Sequence, residues 1–168
     1  YIDNETEMLQ LTKTVLNHDM KMVRKMEGKS AMDILEEAGI HPNRPVRLVV
    51  VRTFAKHPLV LEECLMPVVP LVAVADFEEA LETALFTEQG YRHTAMVHSQ
   101  CIDRLSKAAK IMNTTVFIKN GSSLAGIGLN GEEMASFTIA NVTGEGITTA
   151  RDFACKRSCT LTSGFSLR

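Results

Sequence analysis

The sequence predicts an α/β fold with a largely parallel sheet flanked by helices. Three observations carry that expectation. Short apolar runs of strand length recur at residues 46–51, 68–75, 94–98 and 114–118. Stretches with helical spacing lie among them, with starts and stops marked by capping residues and glycines. Parallel strands require a covering crossover connection, and the alternation of strand and helix supplies one.

Taken in order, residues 5–17 place Met8, Leu9, Leu11, Val15 and Leu16 at helical spacing among polar neighbours. Ser30 and Asp33 have the spacing of a capping box; Ala31, Ile34, Leu35 and Ala38 line one face of the helix that follows, and Gly39 stops it. After Pro42 and Pro45 the run 46–51 reads as a buried strand. The stretch 62–71, Glu-Glu-Cys-Leu-Met-Pro-Val-Val-Pro-Leu, reads as a Pro-bounded elbow running into a buried apolar strand, a layout that displays one carboxylate at a strand edge. Asp76 then caps a helix reaching about Gln89, with Phe77, Ala80, Leu81, Ala84 and Leu85 on one stripe and Gly90 beyond its end.

A strand at 94–98 follows, then a helix at 102–112 marked by Ile102, Leu105, Ala108, Ala109 and Met112, then a strand at 114–118. Residues 120–131 are rich in small side chains and fit neither period, so they form a long ordered loop or several turns. A brief strand is expected at 137–139, a helix at 148–156, and a terminal strand at 158–167 interrupted by Gly164.

Composition narrows the function classes. A chain of 168 residues can form one ordinary domain, burying roughly 70% of its unfolded surface. Hydrophobic residues at 45% and charged residues at 23% match a soluble globular protein. Eighteen Lys and Arg against twenty Asp and Glu leave no excess of either sign for nucleic acid or an anionic membrane. No apolar run approaches the roughly 20 residues that span a bilayer. The chain opens on Tyr1 with no signal-peptide pattern, which reads as a cut start rather than a natural one. Four scattered cysteines, Cys64, Cys101, Cys155 and Cys159, favour a reducing compartment, the cytoplasm.

Five segments in order resemble one family: the elbow from Glu63 to Pro70; Arg92-His93-Thr94-Ala95-Met96-Val97-His98-Ser99; Asn113-Thr114-Thr115-Val116-Phe117-Ile118-Lys119-Asn120-Gly121; Phe137-Thr138-Ile139; and Thr143-Gly144-Glu145-Gly146. Together they are similar to the C-terminal part of the catalytic domain of CoA-acylating aldehyde dehydrogenases, the propionaldehyde and acetaldehyde type of propanediol and ethanolamine utilisation. Leu65 and Met66 stand where the hydrolytic branch carries Phe-Gly, a departure that looks like the acylating branch. The resemblance divides the chain into residues 1–157, a portion of the catalytic domain, and 158–168, a terminal segment that pairs subunits of a homo-oligomer.

The resemblance implies a reaction in which a cysteine thiolate attacks a short aliphatic aldehyde, a hydride passes to NAD, and the thioester is transferred to coenzyme A. The nucleophilic cysteine and the cofactor domain would lie upstream, since none of the four cysteines here falls on the nucleophile's motif; the isolated chain is expected to be inactive. Glu63 matches the carboxylate that accepts hydrogen bonds from the nicotinamide ribose. Leu65 either leaves room for the pantetheine arm of coenzyme A or is plain packing. His93 is an auxiliary candidate, either for proton transfer from the incoming thiol or as a hydrogen-bonded structural residue. Asn120, Gly121 and Ser122 border the acyl pocket in the family, or form a turn chosen for its glycine. Packaging within a bacterial microcompartment shell is also implied, through an N-terminal targeting segment outside this chain.

Other patterns carry less. Gly126-Ile127-Gly128-Leu129-Asn130-Gly131 matches a dinucleotide fingerprint by letter but lacks the strand before it and the helix after it. Cys155 and Cys159 are spaced to touch on a helix, yet lack two further zinc ligands, and His18, His41, His57 and His98 have no common spacing. No metal site is expected. Two competing readings stand beside the enzyme: a non-enzymatic α/β assembly module, and a hydrolytic aldehyde dehydrogenase, against which Leu65-Met66 argues.

Overall fold

The computed structural model describes residues 1–130, 136, 146–158, 160 and 162. The chain divides into two compact units, Tyr1–Tyr91 and Arg92–Arg168. Both are α/β, with parallel strands and flanking helices.

In the first unit, α1 (Glu5–Val15) begins at Asn4, whose side chain accepts the Glu7 N–H, and carries Glu5 and Glu7 at its electropositive start. Leu11 and Val15, one turn apart, are fully buried. A tight turn returns the chain so that Leu16 bridges Met22, and a 3-10 turn at Arg24–Met26 follows. Helix α2 (Ala31–Glu37) opens with the predicted capping box: Ser30 Oγ accepts the Asp33 N–H, and the Asp33 carboxylate accepts the Ser30 N–H. It buries Ala31, Ile34 and Leu35 against α1. Gly39, at φ +71, closes it in a conformation that a side chain disfavours.

Strand β1 (Val49–Thr53) starts three residues later than the apolar run suggests. Pairing moves it: the Val49 N–H donates to Pro67 O, Ile2 N–H donates to Val50 O, and Arg52 N–H donates to Ile2 O. Val46 instead rests half-buried against the core, its N–H pointing at Met32 Sδ. Strand β2 (Val68–Val72) pairs parallel with β1, Val49 opposite Val68 and Thr53 opposite Val72. The run expected to be buried throughout keeps Val69 and Leu71 exposed, because alternate residues of a strand face opposite sides. Val49, Val51 and Val68 join Leu11, Val15 and Ile34 in one core.

Between these strands α3 (Pro58–Leu61) is a single turn. His57 caps it: Nδ1 accepts the Leu59 N–H at 3.2 Å, and the ring, almost fully buried, meets Phe54 edge-on at 5.4 Å. Burial holds the imidazole below its ordinary value of 6.5 and so favours the neutral form that the cap requires. Helix α4 (Phe77–Glu88) starts at Asp76, whose carboxylate accepts the Glu79 N–H, and ends at Gln89 and Gly90, both left-handed. Of its expected stripe, only Leu81 is buried.

The second unit is a strand–helix–strand crossover. Strand β3 (Thr94–Val97) leads through α5 (Ile102–Met112) to β4 (Val116–Lys119), and the strands pair parallel, Thr94 opposite Val116. Ala108 and Met112 form the buried face of α5. The loop after β4 folds into a 3-10 turn at Ser123–Ile127 that lies on the strand. Gly126 makes this possible: a Cβ there would stand 2.6 Å from Val116 Cγ1. The glycines that mimicked a nucleotide fingerprint thus include one required by packing.

The expected helix at 148–156 does not form. Residues 150–153 are turns, with the Thr149 N–H and hydroxyl both donating to the Asp152 carboxylate. A side chain that satisfies nearby backbone competes with helix, and the exposed surroundings bury no apolar stripe that would reverse the outcome. The expected strand at 137–139, most of the terminal strand at 158–167, and Cys159 lie outside the described residues.

Two stability tests follow from this packing. Replacing Gly126 with Ala is expected to cost about 1–3 kcal/mol by overpacking, and Val116→Ala in the same molecule should recover part of that loss, read by urea unfolding followed by circular dichroism. His57 is held neutral in the fold and takes up its proton more readily once unfolded. Its contribution is therefore complete above pH 6.5 and falls as the pH drops toward its lowered folded value. Between pH 7 and 5 the urea midpoint should fall more steeply for the native chain than for His57→Asn, which keeps a capping acceptor that does not titrate.

Candidate functional site

Helix α3 delivers the chain into the elbow. The Glu62 N–H donates to Pro58 O, and Glu62 leaves the helix extended, at φ −100 and ψ 139. From here side chains alternate. Glu62, Cys64 and Met66 are half-buried, whereas Glu63 and Leu65 are exposed. Two successive three-residue turns then bend the backbone: the Met66 N–H donates to Cys64 O at 2.7 Å, and the Val68 N–H to Met66 O at 2.8 Å.

The bend is pinned on both sides. Leu65 O accepts the Gly28 N–H at 3.0 Å, the Leu65 N–H points at Met22 Sδ at 3.3 Å, and Pro67 O accepts the Val49 N–H at 2.9 Å. Glu62 binds Lys21, whose Nζ donates to both carboxylate oxygens at 2.7 and 2.9 Å and whose ammonium is thereby pushed up. Glu63, by contrast, makes no hydrogen bond or ion pair among the described residues. The outcome is one free carboxylate and one aliphatic side chain, two residues apart, on the exposed side of a bend whose backbone is held.

Cys64 faces the other way, packed against the core. Burial, and then the Glu62 charge, push its thiol up, the opposite of what a nucleophilic thiolate requires. Cys101 and Cys155 are exposed, and among the described residues no three His, Cys, Asp or Glu side chains gather as metal ligands. Among the described residues no helix is long and apolar enough to cross a membrane.

The remaining candidates belong to the second unit. Asn120 follows β4 at φ +52, a left-handed conformation that asparagine tolerates. Its carboxamide is fully engaged: Oδ1 accepts the Ser99 N–H at 2.8 Å, and Nδ2 donates to Ser99 O at 2.9 Å. With its own N–H donating to Val97 O, it braces the ends of β3 and β4. Gly121 sits where a Cβ would press Ile118 at 3.2 Å, and Ser122 Oγ caps the next turn by accepting the Leu124 N–H. These three residues therefore shape the strand ends through their own packing and caps.

His93 is exposed, with Nδ1 2.7 Å from Thr94 Oγ1, and it precedes β3. In a parallel pair that puts it at the opposite end of the sheet from Asn120, roughly 16 Å away at a rise of about 3.3 Å per residue. The structure thus brings Glu63 and Leu65 together, and Asn120 to Ser122 together, and sets His93 apart from the latter group. Sequence reasoning missed Lys21, Met22 and Ser99. The first two meet the elbow across more than 40 positions, and Ser99 meets Asn120 across 21, so no local pattern marks them.

Comparison with known proteins bears out the resemblance. No family model matches the chain. The propanal dehydrogenase (CoA-propanoylating) of Salmonella typhimurium is 50% identical over 146 residues, covering 86% of this chain and 32% of the relative. An engineered glycolyl-CoA reductase solved with bound NADP+ superposes with a TM-score of 0.88 at 38% identity, over 95% of this chain and 37% of that one. A propionaldehyde dehydrogenase from the fucose utilisation bacterial microcompartment of Clostridium phytofermentans gives 0.88 at 34% identity, over all of this chain and 38% of that one. The chain spans about a third of the length of the curated relatives it matches.

Proposed function

We propose that this chain, a relative of CoA-acylating aldehyde dehydrogenases over most of its length, is the portion of such an enzyme that places the nicotinamide cofactor and frames the acyl site. The whole enzyme would oxidise a short aliphatic aldehyde to its acyl-CoA while reducing NAD. One observation carries this reading: in a sequence half identical to a propanal dehydrogenase, Glu63 stands uncommitted on a pinned bend beside Leu65.

The fit to a nicotinamide ribose is chemical. A carboxylate with no competing cation offers two oxygens to two vicinal hydroxyls, and a backbone held at residues 65 and 67 fixes where that side chain leaves the chain before the ligand arrives. When bound, the nicotinamide ring supplies the hydride acceptor; the chain's own work is orientation. Leu65, aliphatic and exposed next to Glu63, presents an apolar surface that admits the pantetheine arm of coenzyme A. Asn120 braces the neighbouring strand ends, so that Gly121 and Ser122 bound the acyl pocket by backbone shape. His93, at the far end of its strand pair, has a structural role in this reading.

The bond-making thiolate is assigned to a part of the enzyme outside these residues, since Cys64 is half-buried against the core with its thiol pushed up. The relative from a fucose utilisation microcompartment supports a similar setting here, an enzyme enclosed in such a shell; a cytoplasmic homo-oligomer is part of the same proposal.

The test is a transplant. The matching stretch of the Salmonella propanal dehydrogenase is replaced with this chain, and aldehyde- and CoA-dependent NADH formation is followed. Activity with acyl-CoA as product is expected; release of free acid instead would point to the hydrolytic branch, and a folded but inactive chimera would favour the assembly module. Within an active chimera, Glu63→Gln should raise KM for the nicotinamide cofactor about tenfold, the scale of one charge-assisted hydrogen bond, with KM for aldehyde little changed. The 168-residue chain alone should form no NADH.

A further inference from the structure

We infer that Lys21 is a positioning residue for the cofactor carboxylate, keeping the neighbouring Glu62 occupied so that Glu63 alone is offered to the ligand; the inference rests on the function proposed above. Two adjacent glutamates begin the elbow, and extended backbone sends their side chains to opposite sides. The register of the elbow turns Glu63 outward and Glu62 the other way. Lys21 secures that division of roles, because its ammonium holds both Glu62 oxygens, at 2.7 and 2.9 Å. With Glu62 occupied and neutralised, Glu63 is left as the single unpaired carboxylate. An anionic dinucleotide then meets one negative charge at the bend rather than two.

Lys21 is itself held in place by its backbone. Its N–H donates to Asn17 Oδ1 at 3.0 Å and its carbonyl accepts the Asn17 N–H at 2.8 Å, across a turn that Met20 closes at φ +59. The next residue, Met22, meets the Leu65 N–H, and Gly28 donates to Leu65 O. Segment 21–28 therefore grips the elbow at three points, and only the Lys21 contact acts on charge. Glu62 keeps 20% of its side-chain exposure against 70% for Lys21, so the carboxylate end of the pair is the sheltered one.

The experiment uses the active chimera with Lys21→Met, Glu62→Gln and the exchanged pair Lys21→Glu/Glu62→Lys. Lys21→Met should raise KM for the nicotinamide cofactor about two- to fivefold, the scale of one lightly screened ion pair, while kcat and the KM values for aldehyde and coenzyme A stay level. Glu62→Gln, which removes the rival charge, should raise it less, and the exchanged pair should return it toward the starting value. An unchanged cofactor KM in Lys21→Met, a uniform loss across all kinetic parameters, or failure of the exchange to restore binding would each overturn the inference. An unsubstituted chimera without activity overturns the underlying function, and this inference with it.

Discussion

Two carbonyl oxygens, those of Leu65 and Pro67, set the geometry on which the first unit depends. Pro67 O takes the amide that starts β1, which fixes the frame of the β1–β2 pair and with it which residues of each strand enter the core. Leu65 O is held by Gly28, so the elbow cannot slide by one residue without losing that bond. Because side chains alternate along extended backbone, the same frame that buries Cys64 and Met66 turns Glu63 and Leu65 outward. Core packing and site display are two results of one register.

The second unit reaches a comparable end by different means. There, a crossover helix brings two parallel strands together, and a side chain rather than a strand pairing closes their ends. Asn120 copies a backbone donor and acceptor and presents both to Ser99, in the way asparagine often substitutes for a peptide unit at turns. Close approach of the following turn to β4 is allowed by the absence of a side chain at Gly126. Polar satisfaction and steric clearance, more than buried area, determine the loop's path.

Features written in nearby residues were legible from the sequence. Ser30 with Asp33, Asp76 with Glu79, and the Gln89-Gly90 end each act within four positions, and the structure has them where the pattern puts them. Strand frames were less so: β1 starts at Val49 and not at 46 because the pairing partners Ile2 and Pro67 are remote in sequence. The helix read at 148–156 lost to the bond between Thr149 and Asp152, a competition that apolar spacing does not register. Glu63 and Leu65 were singled out by resemblance, yet two of the groups that hold their bend, Lys21 and Met22, carry no motif of their own. Proximity between such groups exists only once the chain is folded.

The Asn120–Ser99 brace has a chemical corollary. Asparagine followed by glycine is the pair most prone to cyclise through the glycine amide and reopen as isoaspartate. In this fold the carboxamide is tied down at both ends, which withholds it from that attack for as long as β3 and β4 stay joined. Once converted, the main chain would run through the former side chain and the carboxamide would be gone, leaving the Ser99 carbonyl without its N–H donor. The join therefore protects its own chemistry, and a molecule that opens there too often ages irreversibly.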